Sequence, residues 1–273
     1  MNLTKLTQGM VDFRSRVSYL HLEFLRRVGG TKPIPLWYWE LSRRLTRVFG
    51  SGPDLLFPPY EFLYSSGESL EIEELKTLLM NDTLGGWSLD AQTIVLLWEI
   101  LHREKPRLVV ECGAGISTLV LARYAALASS ERDPCCIVSL EQDFETAQSI
   151  RLRLSSVSLN RFVQVVHSPL DSNGNYSLRN FEEALARLPR RSIDFLMIDG
   201  PAGVTGCRLA TLPMLLGHCR DGARWFLDDA FRDGEMRILN QWSSLAGIEV
   251  EGIYPIGKGL GLGSVCHPPP IRN

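Results

Sequence analysis

The chain predicts an α/β protein built on a doubly wound, mostly parallel sheet. Three observations carry that prediction. From Trp87 onward, short β-branched apolar runs alternate with stretches of helical length. The first run, Arg107–Glu111, passes into the turn Cys112-Gly113-Ala114-Gly115, whose glycines let the backbone bend tightly and approach a ligand closely. Acids close four of the five runs, on the rim where sheets of this kind bind ligands. Strands separated by helices imply parallel pairing with helices on both faces.

The elements follow in order. Ser88 is read as the N-cap of a helix over Leu89–His102. Strands are expected at Arg107–Glu111, Cys136–Glu141, Phe162–His167, Ile193–Asp199 and Ala223–Asp228. Helices are expected between them at Ser117–Ala128, Glu145–Val157, Leu178–Leu188 and Thr205–Cys219, with a further one at Gly234–Leu245. The last two strands, Ile248–Tyr254 and Leu260–His267, have no helix signal between them and read as an antiparallel pair. Residues 1–86 read as a helical N-terminal extension, broken by Gly29-Gly30, Pro33, Pro35, Gly50 to Pro53 and Pro58-Pro59, with a short helix at Ser69 to Asn81. Its Trp37-Tyr38-Trp39 cluster reads as a docking anchor, and residues 87–273 form the main domain.

Composition narrows the function. The 273 residues are 45% hydrophobic, ample for a core, and a net charge of -2 offers no footprint for nucleic acid. No run approaches the ~18 uncharged apolar residues of a membrane span. The segment Val11 to Val28 is amphipathic, but Asp12, His21 and Glu23 dilute its basic face, so packing is preferred to a membrane surface. The N-terminus lacks the pattern of a secretion signal, and six cysteines without metal-type spacing read as reduced thiols, so a cytoplasmic protein is expected.

The rim residues are Glu111, Glu141, His167-Ser168, Asp199 and Asp228-Asp229. Converging carboxylates repel, so the rim calls for a cation, a ligand ammonium or raised pKa values. Glu141 is placed to accept hydrogen bonds from two ribose hydroxyls. A dinucleotide site would show a third glycine where Thr118 stands, and Glu111 ahead of the turn would repel a pyrophosphate. A cationic or zwitterionic nucleoside fits better.

These residues carry a resemblance. The Glu111-x-Gly113-x-Gly115-x-Ser117-Thr118 loop, the acid closing the second strand and the two-strand ending look like the class I S-adenosylmethionine-dependent methyltransferases over roughly residues 87–267. The segments Ile193–Pro201 and Phe226–Arg232, the spacing of Asp228, Asp229, Arg232, Glu235 and Trp242, and the turn Gly257-Lys258-Gly259-Leu260 are similar to one branch of them. The resemblance implies a Rossmann-like doubly wound seven-stranded sheet, mostly parallel with an antiparallel last strand. It places Glu111, Gly113 and Gly115 toward the methionine part of the cofactor, with Ser117 and Thr118 nearby. Glu141 takes the ribose, and Gln142, Ser168 and Leu170 line the adenine.

Catechol-type O-methyltransferases hold a divalent ion with acids at positions like Asp199, Asp228 and Asp229. The resemblance therefore extends to Mg²⁺ or Mn²⁺ assistance. Two plainer readings stand beside it: Asp199 stabilises a turn, and Asp229 caps the next helix. The lysine usual after the first metal acid is missing between Gly203 and Cys207, which leaves Asp199 or His167 as candidate catalytic bases. Arg208 and Arg232 are read as partners of the acids or of an anionic substrate. The expected reaction is O-methylation of a small-molecule acceptor, with room left for a homodimer. The rivals are a metal-independent N- or protein methyltransferase, a non-catalytic nucleoside-binding scaffold and a nicotinamide-dependent oxidoreductase.

Overall fold

The computed structural model describes residues 32–41, 70, 72–80, 82–85, 88–188 and 192–266. The Val11 to Val28 segment and most of the 1–86 extension lie outside them. After helix α1 (Glu73–Leu79) and helix α2 (Ala91–Glu104), strand and helix alternate: β1 (Leu108–Cys112), α3 (Ile116–Ala128), β2 (Cys136–Glu141), α4 (Phe144–Ser156), β3 (Val163–His167), α5 (Arg179–Ala186) and β4 (Ile193–Ile198). Then come α6 (Thr211–Leu215), β5 (Cys219–Leu227), α7 (Asp233–Trp242), β6 (Ile248–Tyr254) and β7 (Leu260–Val265).

One seven-stranded sheet results, in the order β3-β2-β1-β4-β5-β7-β6. Strands β1 to β5 pair in parallel, and β7 runs antiparallel between β5 and β6. This is the expected seven-stranded, mostly parallel architecture. The strand order reverses between β1 and β4, and the crevice at such a reversal is where these sheets bind ligands.

The sheet splits the core by alternation. Val110, Cys112, Leu196, Ile198, Trp225 and Leu227 face one layer, while Val109, Phe195, Met197 and Phe226 face the other. All five residues of β1 are buried, as a central parallel strand covered on both faces requires. The first layer includes Trp39, which packs edge-on against Phe231 at 5.2 Å. The second includes Leu70, Leu75 and Leu79. Ile34 exchanges two 2.9 Å backbone hydrogen bonds with Ile253, so a stretch of chain covers the edge strand β6.

Several boundaries differ from expectation for local reasons. The cap of α2 is Asp90, not Ser88; its carboxylate accepts from Thr93 N at 2.9 Å and Thr93 Oγ1 at 2.9 Å. The expected helix Thr205–Cys219 shrinks to Thr211–Leu215 plus a 3₁₀ turn, Leu216–His218. Gly206 is left-handed at φ 89°, and Pro213 has no N–H to donate. Strand β5 starts at Cys219, ahead of the polar residues Arg220 and Asp221. Asp229 does not cap α7: Arg232 holds that position, and Asp229 itself is left-handed at φ 60°.

Candidate active site

The carboxyl ends of β1, β2, β4 and β5 open into a cleft of about 700 Å³. Gly113, Gly115, Ser117, Glu141, Gln142, Asp199 and Asp229 line it, joined by Tyr176, Arg208 and Arg232. Its volume falls within the range of small-molecule sites, ~300–1,000 Å³.

The floor is set by backbone crossing backbone. Asp199 N and Gly200 N both donate to Cys112 O, at 2.9 and 2.6 Å, and Gly113 N donates to Leu140 O at 2.8 Å. Gly113 sits at φ 95°, and a Cβ there would lie 2.9 Å from Gly200 N. A side chain at either glycine would separate the two strand ends. Gly115 differs: a Cβ on it would meet no atom within 4 Å, because it faces the open cleft.

Glu111 stands behind this loop rather than in it. Its carboxylate is fully buried and accepts from Thr118 Oγ1 at 2.6 Å and Ser139 Oγ at 2.5 Å. Thr118 Oγ1 in turn accepts from Gly115 N at 2.9 Å, so the acid braces the glycine turn through a hydroxyl. Burial pushes its pKa up from 4.5 to about 7, against the opposing pull of the Ser117, Ser139 and Thr118 hydroxyls. Because the folded pKa exceeds the unfolded one, the folded state holds this proton more tightly. Stability from Glu111 is present below pH 4.5 and is lost as pH rises through about 7, a change of about 3 kcal/mol. Glu111→Gln removes that slope. Its melting temperature relative to wild type should rise by several degrees between acidic and mildly alkaline pH; a constant difference would contradict the assignment.

Glu141 closes β2 at the cleft wall. Its two carboxylate oxygens accept from Ala114 N at 2.9 Å and Asp143 N at 2.8 Å, which fixes both toward the cleft side of the glycine turn. Gln142 reaches across the mouth and pairs with Ala202 twice, donating to its O at 3.1 Å and accepting from its N at 2.8 Å. The Gly200–Pro201 peptide beside it is cis.

Six expected residues do not line the cleft: Glu111 and Thr118 lie buried behind the glycine turn, Asp228 is buried in the acid cluster, and Ser168, Leu170 and His167 belong to the neighbouring strand end and loop. Ser168 is fully buried and donates its hydroxyl to Ser177 O. Leu170 pairs with Tyr176 in a small antiparallel bridge. His167 lines a separate depression on β3 with Arg151, Gln164 and Asn180, and its ring packs edge-on against Phe144 at 5.4 Å.

The hairpin that holds Ser168 and Leu170 delivers a residue the sequence reading passed over. Ser177 N donates to Pro169 O at 3.0 Å and Asp171 N to Asn175 O at 2.8 Å, returning Tyr176 to the cleft. The Tyr176 hydroxyl is buried without a hydrogen-bond partner among the described residues, against the Gly113–Gly200 crossing. A lone large aromatic closing the polar Asp171-Ser172-Asn173-Gly174-Asn175 turn was the available signal.

The acids Asp199, Asp228 and Asp229 do converge, with candidate ligand atoms within 4.8 Å of one another. They converge on protein cations. Arg208 Nη2 lies 3.0 Å from Asp199 Oδ1, and its Nη1 lies 3.3 Å from Asp229 Oδ2 and 3.8 Å from Glu235 Oε1. Arg232 Nη1 is 2.8 Å from Asp229 Oδ2. Lys258 Nζ is 2.9 Å from Asp229 Oδ1 and 3.2 Å from Asp228 Oδ2. Asp199 is the member open to the cleft, with 21% of its side chain exposed. Burial and the neighbouring Asp228 charge hold its carboxyl above the ordinary range, and Arg208 opposes them. A divalent ion would need carboxylate oxygens at ~2.0–2.6 Å, where three built-in cations, Arg208, Arg232 and Lys258, already pair each of the three acids through at least one oxygen. The donor set as folded does not fit the metal implied by the resemblance.

Residues 110–230 match a family described as a methyltransferase domain. No curated protein matches the chain. Among solved structures, the O-methyltransferase TomG of Streptomyces achromogenes, in complex with S-adenosylmethionine, is 19% identical. It superposes with a TM-score of 0.52 over 75% of this chain and 95% of its own. The O-methyltransferase of Bacillus cereus, in complex with SAH, is 16% identical, with a TM-score of 0.50 over 84% of this chain and 99% of its own. The match over residues 110–230 and the seven-stranded sheet shared with these structures give the chain a methyltransferase-type Rossmann-like fold, with the glycine turn inside the matched segment.

Proposed function

We propose that the chain transfers a methyl group from S-adenosylmethionine to an oxygen of a small-molecule acceptor in the cleft between β1 and β4. One observation carries this reading. The glycine turn, the ribose-type acid Glu141 and the half-open acid Asp199 face a single cavity at the reversal of strand order. The O-methyltransferase names of the two structural neighbours support an oxygen acceptor.

When bound, S-adenosylmethionine supplies an electrophilic methyl group. The rest falls to this chain's residues. Gly115 leaves room against the turn, and Glu141 offers carboxylate lone pairs to vicinal hydroxyls. Tyr176 contributes a buried hydroxyl that calls for a polar partner. Asp199 accepts the acceptor's proton at the oxygen facing the cleft. Orientation contributes much of the acceleration in such a displacement. Divalent-metal assistance by Mg²⁺ or Mn²⁺ has no step in this reading, because Arg208 and Lys258 hold the acids.

The wider placement is part of the proposal. Among the described residues no helix is long and apolar enough to cross a membrane, and all six cysteines are free thiols, which suits the cytoplasm. The chain before Ser88 is proposed to be the 1–86 extension that covers the cleft, where Ser88 and Leu89 already form part of the wall.

The test is a radiolabelled methyl-transfer screen over phenols, hydroxy acids, amines and peptides. Labelling confined to hydroxylated small molecules is expected; labelling of amines or peptides alone would overturn the oxygen assignment. A sharper probe of the cofactor position is Gly115→Val. The variant should fold, because open space receives its side chain, yet bind S-adenosylmethionine about 5- to 100-fold more weakly, the usual ~1–3 kcal/mol cost of overpacking. Unchanged affinity by calorimetry would place the cofactor elsewhere.

A further inference from the structure

We infer that Lys258 and Arg208 are the resident cations of the Asp199–Asp228–Asp229 cluster, standing where the resemblance implies a divalent ion, so that this enzyme positions its acids with protein charge instead of metal. The inference rests on the proposed reading only in taking Asp199 as the acid that meets the acceptor.

The lysine is delivered by backbone, not by a flexible side chain alone. It lies on the turn between β6 and β7, and that turn is fastened to the loop following the acid pair. Ala230 N donates to Gly259 O at 2.9 Å, and Phe231 N donates to Lys258 O at 3.1 Å. The glycines on either side permit so close an approach. Gly257 (φ 46°) and Gly259 (φ 84°) are left-handed; a Cβ on the first would collide with the Asp90 carboxylate, and on the second would fall 2.7 Å from the Phe231 ring. Asp90 is itself locked as the cap of α2. The side chain of Lys258 is 2% exposed and that of Arg208 is 6% exposed. Long charged side chains are rarely so buried unless paired.

Charge settles the competition. Asp199, Asp228, Asp229 and Glu235 face Arg208, Arg232 and Lys258, leaving a single formal negative charge on the cluster. A dication bound to Asp228 and Asp229 would sit next to the Lys258 ammonium in a site almost without solvent, where like charges repel strongly. Arg208 also donates to the Asp228 carbonyl at 3.1 Å, so it ties the main chain of the acid pair to the Asp199 carboxylate. Lys258 and Arg208 therefore act as positioning residues: they set where Asp199 points and keep its neighbours ionised.

The test is a Mn²⁺ titration followed by electron paramagnetic resonance of the free ion, run on the full chain. Wild type should leave the free-ion signal undiminished up to millimolar Mn²⁺. Lys258→Met, which removes the ammonium and keeps the volume, should bind Mn²⁺ at least ~10-fold more tightly than wild type, a difference of about 1.4 kcal/mol. Adding Asp228→Ala should abolish the gain. Stoichiometric Mn²⁺ binding by wild type that is lost in Asp228→Ala would overturn the inference, and so would a folded Lys258→Met protein that binds no more than wild type. Lys258→Gln serves if the methionine variant fails to fold, and the wild-type titration needs no variant. Calorimetry with S-adenosylmethionine on the same wild-type sample separates the two readings. Failure to bind the cofactor refutes the proposed function, while Mn²⁺ uptake refutes only the cation assignment.

Discussion

Asp199→Asn is expected to lower kcat by about 100- to 10,000-fold, the usual contribution of a positioned general base. Asparagine keeps the shape and one oxygen for Arg208 Nη2 but cannot take a proton. Cofactor affinity should change little, because the carboxylates fastened to the glycine turn are Glu111 and Glu141. The pH profile sharpens the test. Burial and the Asp228 charge raise the Asp199 pKa, so the base fraction, and with it the rate, should climb with pH to a plateau above the ordinary carboxylate range. The variant's residual rate should lose that rise. A profile that is unchanged in shape would assign the base to another group.

Glu141→Ala is expected to weaken S-adenosylmethionine binding on the order of 100-fold, about 2–3 kcal/mol for hydrogen bonds to a charged group. Part of that loss is indirect, because Ala114 N and Asp143 N lose their acceptor when the carboxylate goes. Glu141→Gln separates the contributions. It keeps one acceptor oxygen but presents an NH₂ to a backbone N–H, so its loss of affinity should be intermediate, with a small drop in melting temperature. Calorimetry reads the affinity and differential scanning reads the stability. Full affinity in both variants would remove Glu141 from the site.

The parts of this account that were legible in the sequence are those decided by local patterning. The apolar run of β1, the glycine turn and the acids at strand ends each depend on near neighbours, and all stand where strand period and turn chemistry put them. Glu111 shows the limit of that reading. The residue type marks the loop, but only the packing of Ser139 and Thr118 turns its carboxylate inward as a brace. Tyr176 escaped because a hairpin within a polar loop carries it back to the cleft. Lys258 lies on a surface-like Gly-Lys-Gly turn, and its burial depends on the insertion of β7 between β5 and β6. The lost turns of the Thr205–Cys219 helix follow from Gly206 and Pro213, whose effects outweigh the apolar periodicity around them. Convergence of acids was visible in one dimension; which cations neutralise them was not, since their partners come from three separate segments.

The central claim is that the crevice between β1 and β4 is the methyl-donor site, with Glu141 on the ribose and Asp199 at the reacting end. A crystal structure with bound S-adenosylhomocysteine tests it most directly. The account predicts ribose hydroxyls hydrogen-bonded to Glu141, the amino-acid part against the Gly113–Gly115 turn, and the sulfur on the side of the cleft that Asp199 faces. A ribose remote from Glu141, or a nucleoside bound at the His167 depression, would contradict it.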